Sequence, residues 1–545
     1  MNLRPYQRDA IESVQASWRE HRSALLVMAT GTGKTVTAAE IIRSRLGFGG
    51  RAMVVAHREE LVEQAAATIR RIAKCDVAVE MAGRRSIENG FYRAPVVVAS
   101  VQTLSSRREG PARVERFKPE AFGTVWFDEA HHATAKTWAS VWEWFRQHEG
   151  TRLLGTTATP DRADERALGT IFDHVAYQYG MLEGIRDGWL VPVKQAVVHV
   201  SGLDFSGVRT TAGELNGADL AALMEFEQTL HRMVGPTIEI AGDRRTLLFC
   251  TTVDHAARVA EILNRHRPGS AAHIHANTPR DERRNILRDY GAGRLQYLAN
   301  VGITTEGWDD PATDGQGVQV VAMLRPTKSR ALYCQMAGRG TRPLPNTVDL
   351  VDNADKRREC IAKSAKPSVL LLDFMGNCGR HRLIHAGDVL GGKWDDQTRQ
   401  RAAKRAADAD GEEVDVLEML DETERLLQSE AEQKRRAFVK GRASFTTQIV
   451  DPFEFVGIAP PKVKGFRAKI PASEKQKAYL ARNNVPGFDR LTLDEASAVI
   501  DAMMKRPSEA QSWFLKKHGR DPAAFDRKTA SEEIGRIKGN PVGAS

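Results

Sequence analysis

Cysteine is scarce in this chain. Its 545 residues include five, Cys75, Cys250, Cys334, Cys360 and Cys378, and no two form a CxxC pair. Scattered single cysteines argue against a disulfide framework or a thiolate zinc cluster and fit a reducing compartment. No apolar run approaches the length that spans a bilayer, and the opening MNLRPYQRDA holds no apolar signal core. A cytoplasmic protein without membrane attachment is the expectation. What is present is ordinary for a globular chain: 41% hydrophobic and 27% charged residues. The length allows about three or four domains of ~150 residues. The net charge of +9 fits an acidic partner such as nucleic acid, although many soluble proteins are mildly basic.

The first part alternates short apolar runs with helical patterns. SALLVMA (23–29) reads as a buried strand and TVTAAEIIRSR (35–45) as the helix after it. RAMVVAH, APVVVAS, TVWFDEA and RLLGTTA keep the rhythm, which implies a parallel sheet covered by helices. Residues 201–225 are Gly-rich and polar and read as a connector. The rhythm restarts with RTLLFC (245–250), the amphipathic VDHAARVAEILNRH, and the strands AAHIHA, RLQYLA, VQVVAML and SVLLLDF. The expected fold class is therefore α/β, with two tandem lobes over 1–200 and 226–390.

Residues 391–470 read as a charged helical linker. Leu417, Leu420 and Leu427 fall near heptad spacing, but Glu424 interrupts the stripe, so a solvated helix is expected rather than a coiled coil. Residues 457–471 contain Pro and Lys and read as a flexible joint. A small helical module follows over 471–510. Ser473 with Gln476 and Thr492 with Glu495 fit capping boxes, Ala496, Val499, Ile500 and Met503 keep helical spacing, and Pro507 stops the run. The last residues, 511–545, read as a flexible tail.

The chemistry begins at MATGTGKT (28–35), between a strand and a helix. Gly31 and Gly33 let the backbone curl so that its N–H groups, through Thr30–Gly33, face a β-phosphate. Lys34 adds charge at the β- and γ-phosphates, Thr35 offers a hydroxyl to Mg²⁺, and the helix N-terminus favours an anion. Met28 stands where the general phosphate-loop pattern has glycine. That glycine mainly shapes the loop, so binding is still expected.

VWFDEAHH (125–132) ends a strand in two carboxylates. Asp128 suits the water shell of Mg²⁺, and Glu129 can orient or deprotonate an attacking water. In the second lobe, QMAGRGTRP (335–343) sets Arg339 and Arg342 three residues apart, on one face if helical. Alone they would read as surface arginines. Beside a phosphate loop they suit transition-state charge, engaged only when the lobes close.

With GTGKT, DEAH (128–131) and QMAGRGTR in this order, the chain resembles the superfamily 2 helicases of the DEAD/DEAH-box type over residues 3 to about 390. The resemblance implies two RecA-like lobes, ATP and Mg²⁺ as cofactors, and nucleic acid, DNA before RNA, as partner. LRPYQ (3–7) looks like the Q motif, with Gln7 reading adenine and Arg4 assisting. AHREELVEQ and ASVQTL resemble motifs Ia and Ib, and TTATP (156–160) resembles motif III, with Thr157 and Thr159 coupling the two sites. LLFCTTVDHA resembles motif IV, and TTEGWDDP (304–311) motif V, with Thr305 toward the nucleic-acid backbone and Gly307 and Asp309 near ATP. His131 and Gln335 join the coupling set. His131 is not read as a metal ligand, because no His or Cys partner stands at ligand spacing.

HIHANTPRDERRNIL, RPTKSRALYCQMAGRGTRP and LLLDFMGNCGRHRL narrow the likeness to RadD-type and related bacterial or phage DNA helicases. The cysteine-rich region that such proteins carry after the second lobe has no counterpart, since no cysteine follows Cys378. No zinc is expected. Phosphate contacts are expected from His57, Arg58, Ser100, Gln102, Thr103, Thr251 and Thr305, which grip backbone rather than bases. The whole reads as an ATP-dependent DNA helicase. A duplex translocase that does not unwind, or an RNA helicase, are the alternatives. The C-terminal module is either a docking site for nucleic acid or a repair or replication partner, or a hairpin that serves stability alone.

Overall fold

The computed structural model describes residues 3–47, 50–86, 93–108, 110–133, 135–158, 168–211, 213–302, 312–377, 383–390, 394–442, 451–456, 458–461 and 470–538. They fall into two compact units, residues 1–430 and 431–545.

The first unit holds two seven-stranded sheets, the first parallel throughout and the second parallel but for one edge strand. The first contains β1 (Ser23–Met28), β2 (Arg51–Ala56), β3 (Val77–Glu80), β4 (Val96–Ser100), β5 (Phe122–Asp128), β6 (Arg152–Thr157) and β7 (His174–Tyr179). Their order is β3-β4-β2-β5-β6-β1-β7. Strands such as SALLVM and VVVAS are buried at every position, which is why they read as unbroken apolar runs rather than alternating ones. Register matters for the site: Val27 lies beside Thr157, and Asp128 beside Thr156. The carboxyl ends of β1, β5 and β6 thus meet at one edge, where open α/β sheets bind their ligands.

The second sheet contains β8 (Val193–Asp204), β11 (Thr246–Phe249), β12 (Ala271–Ile274), β13 (Tyr297–Asn300), β14 (Val320–Met323), β15 (Val369–Asn377) and β16 (Val414–Asp415), in the order β12-β13-β11-β14-β15-β8-β16. A short hairpin of β9 (Thr210–Thr211) and β10 (Glu214–Leu215) stands apart.

Four of the expected boundaries need correction. The first lobe does not run to residue 200, because β8 pairs along β15 from Val193↔Val369 and belongs to the second sheet. Lys194, Gln195 and His199 broke the apolar run and hid the strand, yet Gln195 is buried and donates to the Asp373 carboxylate at 2.6 Å. Residues 201–225 are therefore no simple connector. They hold the end of β8, the hairpin and the helix Gly217–Met224, capped by Asn216.

The expected charged linker also begins as part of the second lobe. Helix Asp396–Asp408 buries Ala402, Ala406 and Ala407, and β16 pairs antiparallel with β8. Val416, Met419 and Leu420 enter the core at the start of helix Val416–Arg442. The small alanine face lets the helix sit close, while Arg401 and Arg405 turn outward to Glu430 and Glu422. Most of the expected joint, 462–469, lies outside the described residues.

The expected flexible tail is helical to Ile537. In the second unit, helices Glu474–Arg482 and Leu493–Lys505 form one hairpin, and Glu509–Lys517 and Arg527–Ile537 form another. The first packs with Phe453 and Val456 around Leu480, Val485, Ala496 and Val499. Leu515 and Ala530 are the fully buried counterparts in the second.

Candidate active site

Met28 is the last residue of β1 and is fully buried, so the variant position of the phosphate loop serves the core. The curl comes after it. Gly31 and Gly33 take φ of +89° and +85°, a left-handed conformation that side chains disfavour. Gly33 caps the helix Lys34–Leu46, so that helix's N-terminus faces the loop's mouth. The buried Thr32 does not reach out: its hydroxyl donates to the Ala29 carbonyl at 2.7 Å. A cavity of about 770 Å³ opens here, lined among others by Thr30, Lys34, Thr35, Asp128, Glu129 and Arg339.

The two acids differ in state. Lys34 Nζ lies 2.8 Å from Glu129 Oε1, and His131 Nδ1 3.4 Å from Oε2. Burial opposes ionisation of Glu129, but these two neighbours hold its carboxyl well below the usual range. Asp128 is pushed up to about 6, by burial first and then by the charge of Glu129. Its Oδ1 accepts from Thr156 Oγ1 at 2.8 Å and from the Glu129 amide at 3.1 Å. A hard cation would offset the crowding of these two carboxylates, and Asp128 with the Thr35 hydroxyl supplies the oxygen donors such an ion prefers. Glu129 has φ +53°, a left-handed conformation that is costly for a side-chain-bearing residue, at the turn where β5 ends.

His131 Nδ1 is also 3.3 Å from Thr157 Oγ1, so these two expected coupling residues meet. The hydroxyl that orients Asp128 is that of Thr156, a residue the sequence did not single out. Thr156 accepts from Trp126 Nε1 at 2.8 Å and in turn donates a hydrogen bond to Asp128. The signal was available: residues 156 and 157 point to opposite sides of one strand, so both hydroxyls have separate work. Thr159 lies outside the described residues.

The condition for the arginines to share a helix face, that they be helical, is not met. Helix Arg330–Gly338 ends before them, with Arg339 as its cap and Arg342 in the segment entering Pro343. Two glycines end the helix because nothing larger fits. A Cβ on Gly338 would stand 2.5 Å from Thr30 Cβ, and one on Gly340 2.3 Å from Val369 Cγ2. This closeness brings both arginines to the cavity. Arg342 packs against Gly31 and is pushed down to about 10, by burial and then by the charge of Arg4. Gln335 is buried within the helix.

The N-terminal segment closes the loop's other side. Tyr6 Oη donates to the Thr32 carbonyl at 2.7 Å and Gln7 Nε2 to the same oxygen at 3.2 Å. Gln7 Oε1 accepts from the Arg4 amide, so its amide braces the phosphate loop in this structure. Arg4 bridges the lobes through Asp349 at 3.1 Å and lies 4.4 Å over the Trp189 ring, whose surroundings also include Arg357 at 4.0 Å. Tyr6 and Trp189, neither singled out in the sequence, hold this corner. Their signal is the polar and aromatic cluster around the linker between β7 and β8.

The expected phosphate contacts separate into three kinds. Arg58 donates to the Gly302 carbonyl across the lobes, and the His57 ring lies 4.8 Å from His132. Ser100 and Thr103 are buried and hydrogen-bonded to each other at 2.9 Å, so they shape a turn and leave Gln102 as the exposed member. Thr251 Oγ1 is 2.8 Å from His255 Nδ1 at the end of β11. Thr305, Gly307 and Asp309 lie outside the described residues. Among those described, no group of His, Cys, Asp and Glu could hold a metal as a cluster of three or more, and no helix is long and apolar enough to cross a membrane.

Residues 1–162 match the family model for the res subunit of type III restriction enzymes, and residues 227–343 that for the helicase conserved C-terminal domain. IRC3 of Saccharomyces cerevisiae, which bears the name of an ATP-dependent helicase, is 32% identical over 360 residues, covering 62% of this chain and 49% of that protein. Its namesake in Schizosaccharomyces pombe, named as mitochondrial, is 26% identical over 63% of this chain and 55% of its own length. The EcoAI type I restriction enzyme endonuclease subunit of Escherichia coli is 27% identical over 62% and 44%. The chain spans about half the length of these curated relatives. They do not bear on the narrower RadD-type likeness. The chain thus carries, in tandem, the two domains of a superfamily 2 helicase core, and a helicase-named relative is 32% identical to it.

Proposed function

We propose that the chain is an ATP-dependent motor that translocates on DNA and separates its strands. The observation that carries this reading is the convergence, in one interlobe cavity, of Lys34, Asp128 and Glu129 from the first lobe with Arg339 and Arg342 from the second. ATP is the substrate that suits it, with Thr35 and Asp128 as the ligands of Mg²⁺, which when bound neutralises phosphate charge. Lys34 exchanges Glu129 for the β- and γ-phosphates, and the freed carboxylate orients and deprotonates the attacking water. Arg339 and Arg342 stabilise the charge that grows on the transferred phosphoryl group. The arginines stand on the other lobe, so hydrolysis and lobe closure are tied together.

A second reading has its own support. The type III res-subunit match and the restriction-subunit relative favour a motor that moves along duplex without unwinding it. One comparison tests both. ATP hydrolysis is measured with single-stranded DNA, duplex, forked DNA and RNA, alongside strand-displacement and triplex-displacement assays. Stimulation by single strands or forks with strand displacement supports the helicase. Duplex stimulation with triplex displacement alone supports the translocase, and stimulation by RNA alone overturns the choice of DNA.

A further inference from the structure

The two C-terminal hairpins are one design used twice. Ser473 caps the first helix of one hairpin and Ser508 that of the other, each in a capping box with a glutamine, Gln476 or Gln511. Each glutamine then donates twice to its hairpin's second helix. Gln476 Nε2 reaches the Leu493 carbonyl at 3.1 Å and Ser497 Oγ at 2.9 Å, while Gln511 Nε2 reaches the Arg527 carbonyl at 3.1 Å and Ser531 Oγ at 2.7 Å. Leu480 and Leu515, and Ala496 and Ala530, are the matching fully buried contacts. The repeat shows what the fold needs, and so what it does not need.

The second hairpin departs from the first at its surface. Trp513 stands where the first has Ala478, and Lys516 where it has Ala481. Trp513 is 63% exposed, so the tryptophan is not there to fill a core. Lys517 Nζ lies 5.0 Å from its ring centre. On the same helix Phe514 stacks with His518 at 4.3 Å, and Lys538 lies 5.1 Å from the Phe514 ring. Lys516, Lys517 and Lys538 form no ion pair among the described residues. An exposed tryptophan ring with one cation over it and another one helical turn along suits a ligand with stacked planar rings and a polyanionic backbone.

We propose that this face of the second hairpin is a stacking platform for single-stranded nucleic acid. A base lies on Trp513, and Lys516 and Lys517 neutralise the flanking phosphates. Duplex suits it less, because paired bases hide their faces. The proposal rests on the reading of the chain as a nucleic-acid motor, for which the platform is a second hold on the strand outside the cleft.

The test uses the full chain and a labelled oligo-dT single strand, with a duplex of equal length beside it. Trp513→Ala is expected to weaken single-strand binding about tenfold, Trp513→Phe to keep most of it, and duplex binding to change little. Lys516→Gln with Lys517→Gln should lower the salt slope by about 1.4, near 0.7 for each lost phosphate contact. All variants should keep the parental ATPase rate at saturating single strand and the parental melting temperature. Single-strand affinity and salt slope unchanged in Trp513→Ala and the lysine pair would overturn the platform, and would leave a protein partner as the occupant of this face. An equal loss for single strand and duplex would also overturn it. Absence of nucleic-acid-stimulated ATPase in the parent chain is a different failure, that of the motor reading.

Discussion

The two sheets of the first unit share a strand order yet carry different chemistry. β2 to β6 run 3-4-2-5-6 across the first sheet, and β11 to β15 repeat that pattern as 12-13-11-14-15. β1 sits beside β6 as β8 sits beside β15. The difference lies in the loops at the strand ends. After β1 comes a loop with two left-handed glycines and a helix N-terminus. β8 instead runs on to Asp204 and bends away through a register shift against β15. Only the first frame keeps a phosphate loop. At the next equivalent pair the charges oppose: β5 ends in Asp128 and is followed by Glu129, while the helix after β14 ends at Gly338 and is followed by Arg339 and Arg342. One frame has been given anions and a phosphate cradle, the other cations, and the chemistry needs both.

That division is most sharply broken at the arginines. Arg339→Ala and Arg342→Ala are each expected to reduce kcat by about 10³ while ATP affinity changes much less, since their partner is transition-state charge. Equilibrium nucleotide binding beside steady-state turnover reads the difference. A large affinity loss with unchanged kcat would make the second lobe a ground-state binding surface. On the other side, Glu129→Gln should cut turnover by about 10² to 10³ with ATP and nucleic acid still bound. Wild-type turnover in that variant would remove the carboxylate from its role.

The equivalent ends of β2 and β11 offer a pH test. His57 and Arg58 follow β2, and Thr251 and the helix cap Thr252 follow β11. In the second lobe Thr251 leans on His255, which is fully buried and pushed down to about 4, by burial and then by Arg258. An unfolded histidine titrates near 6.5, so between these values the unfolded chain binds the extra proton. This contribution is fully present above about pH 6.5 and is lost as pH falls, reaching about 3 kcal/mol near pH 4. His255→Asn keeps an acceptor for Thr251 without the titration. It should lower stability at pH 7 but flatten the decline from pH 6.5 to 4, followed by denaturant unfolding. An equally steep decline would place the acid sensitivity elsewhere.

Much of this was legible in the residues. Runs buried on both faces announced β1, β2, β4, β5 and β6 and their partners in the second lobe, because a strand covered by helices on both sides has no polar side to interrupt it. The phosphate loop and acid pair were legible because their geometry is local. β8 escaped because Gln195 is polar but satisfied by Asp373, a partner far along the chain. The helix after residue 395 was expected, but its packing into the second lobe escaped because its buried face is alanine, whose signal is weak beside its charges. The arginines were found but their setting was not: Gly338 reports a contact with Thr30 that exists only once the lobes meet, and Gly340 one with Val369 that exists only once the second lobe has folded. The C-terminal repeat was open to reading in SEKQ and SEAQ, 35 residues apart, but the intervening loop differs in length and composition.

The smallest expected effect concerns how the two frames are held together. On the side of the expected strand contacts, Glu59 pairs with Arg280 and Glu60 with Arg283 at 2.5 Å, while Arg58 donates to Gly302. Arg283 is 14% exposed and Glu60 47%, so this pair is the better shielded of the two. Partly exposed pairs contribute roughly 0.2–1 kcal/mol. Without nucleic acid, these contacts help keep the arginines near the phosphate loop. Glu60→Gln should therefore lower the basal ATPase rate about two- to fivefold, consistent with that range. If, as proposed, the strand itself bridges the lobes at saturating nucleic acid, the stimulated rate should stay near that of the parent. Pairing Glu60→Arg with Arg283→Glu should restore the basal rate if the ion pair is the cause. Loss of the stimulated rate to the same degree would mean that Glu60 acts within the working cycle. An unchanged basal rate would mean that the remaining contacts across the lobes, Arg4–Asp349 and Thr30–Gly338 among them, suffice to hold the arginines in place.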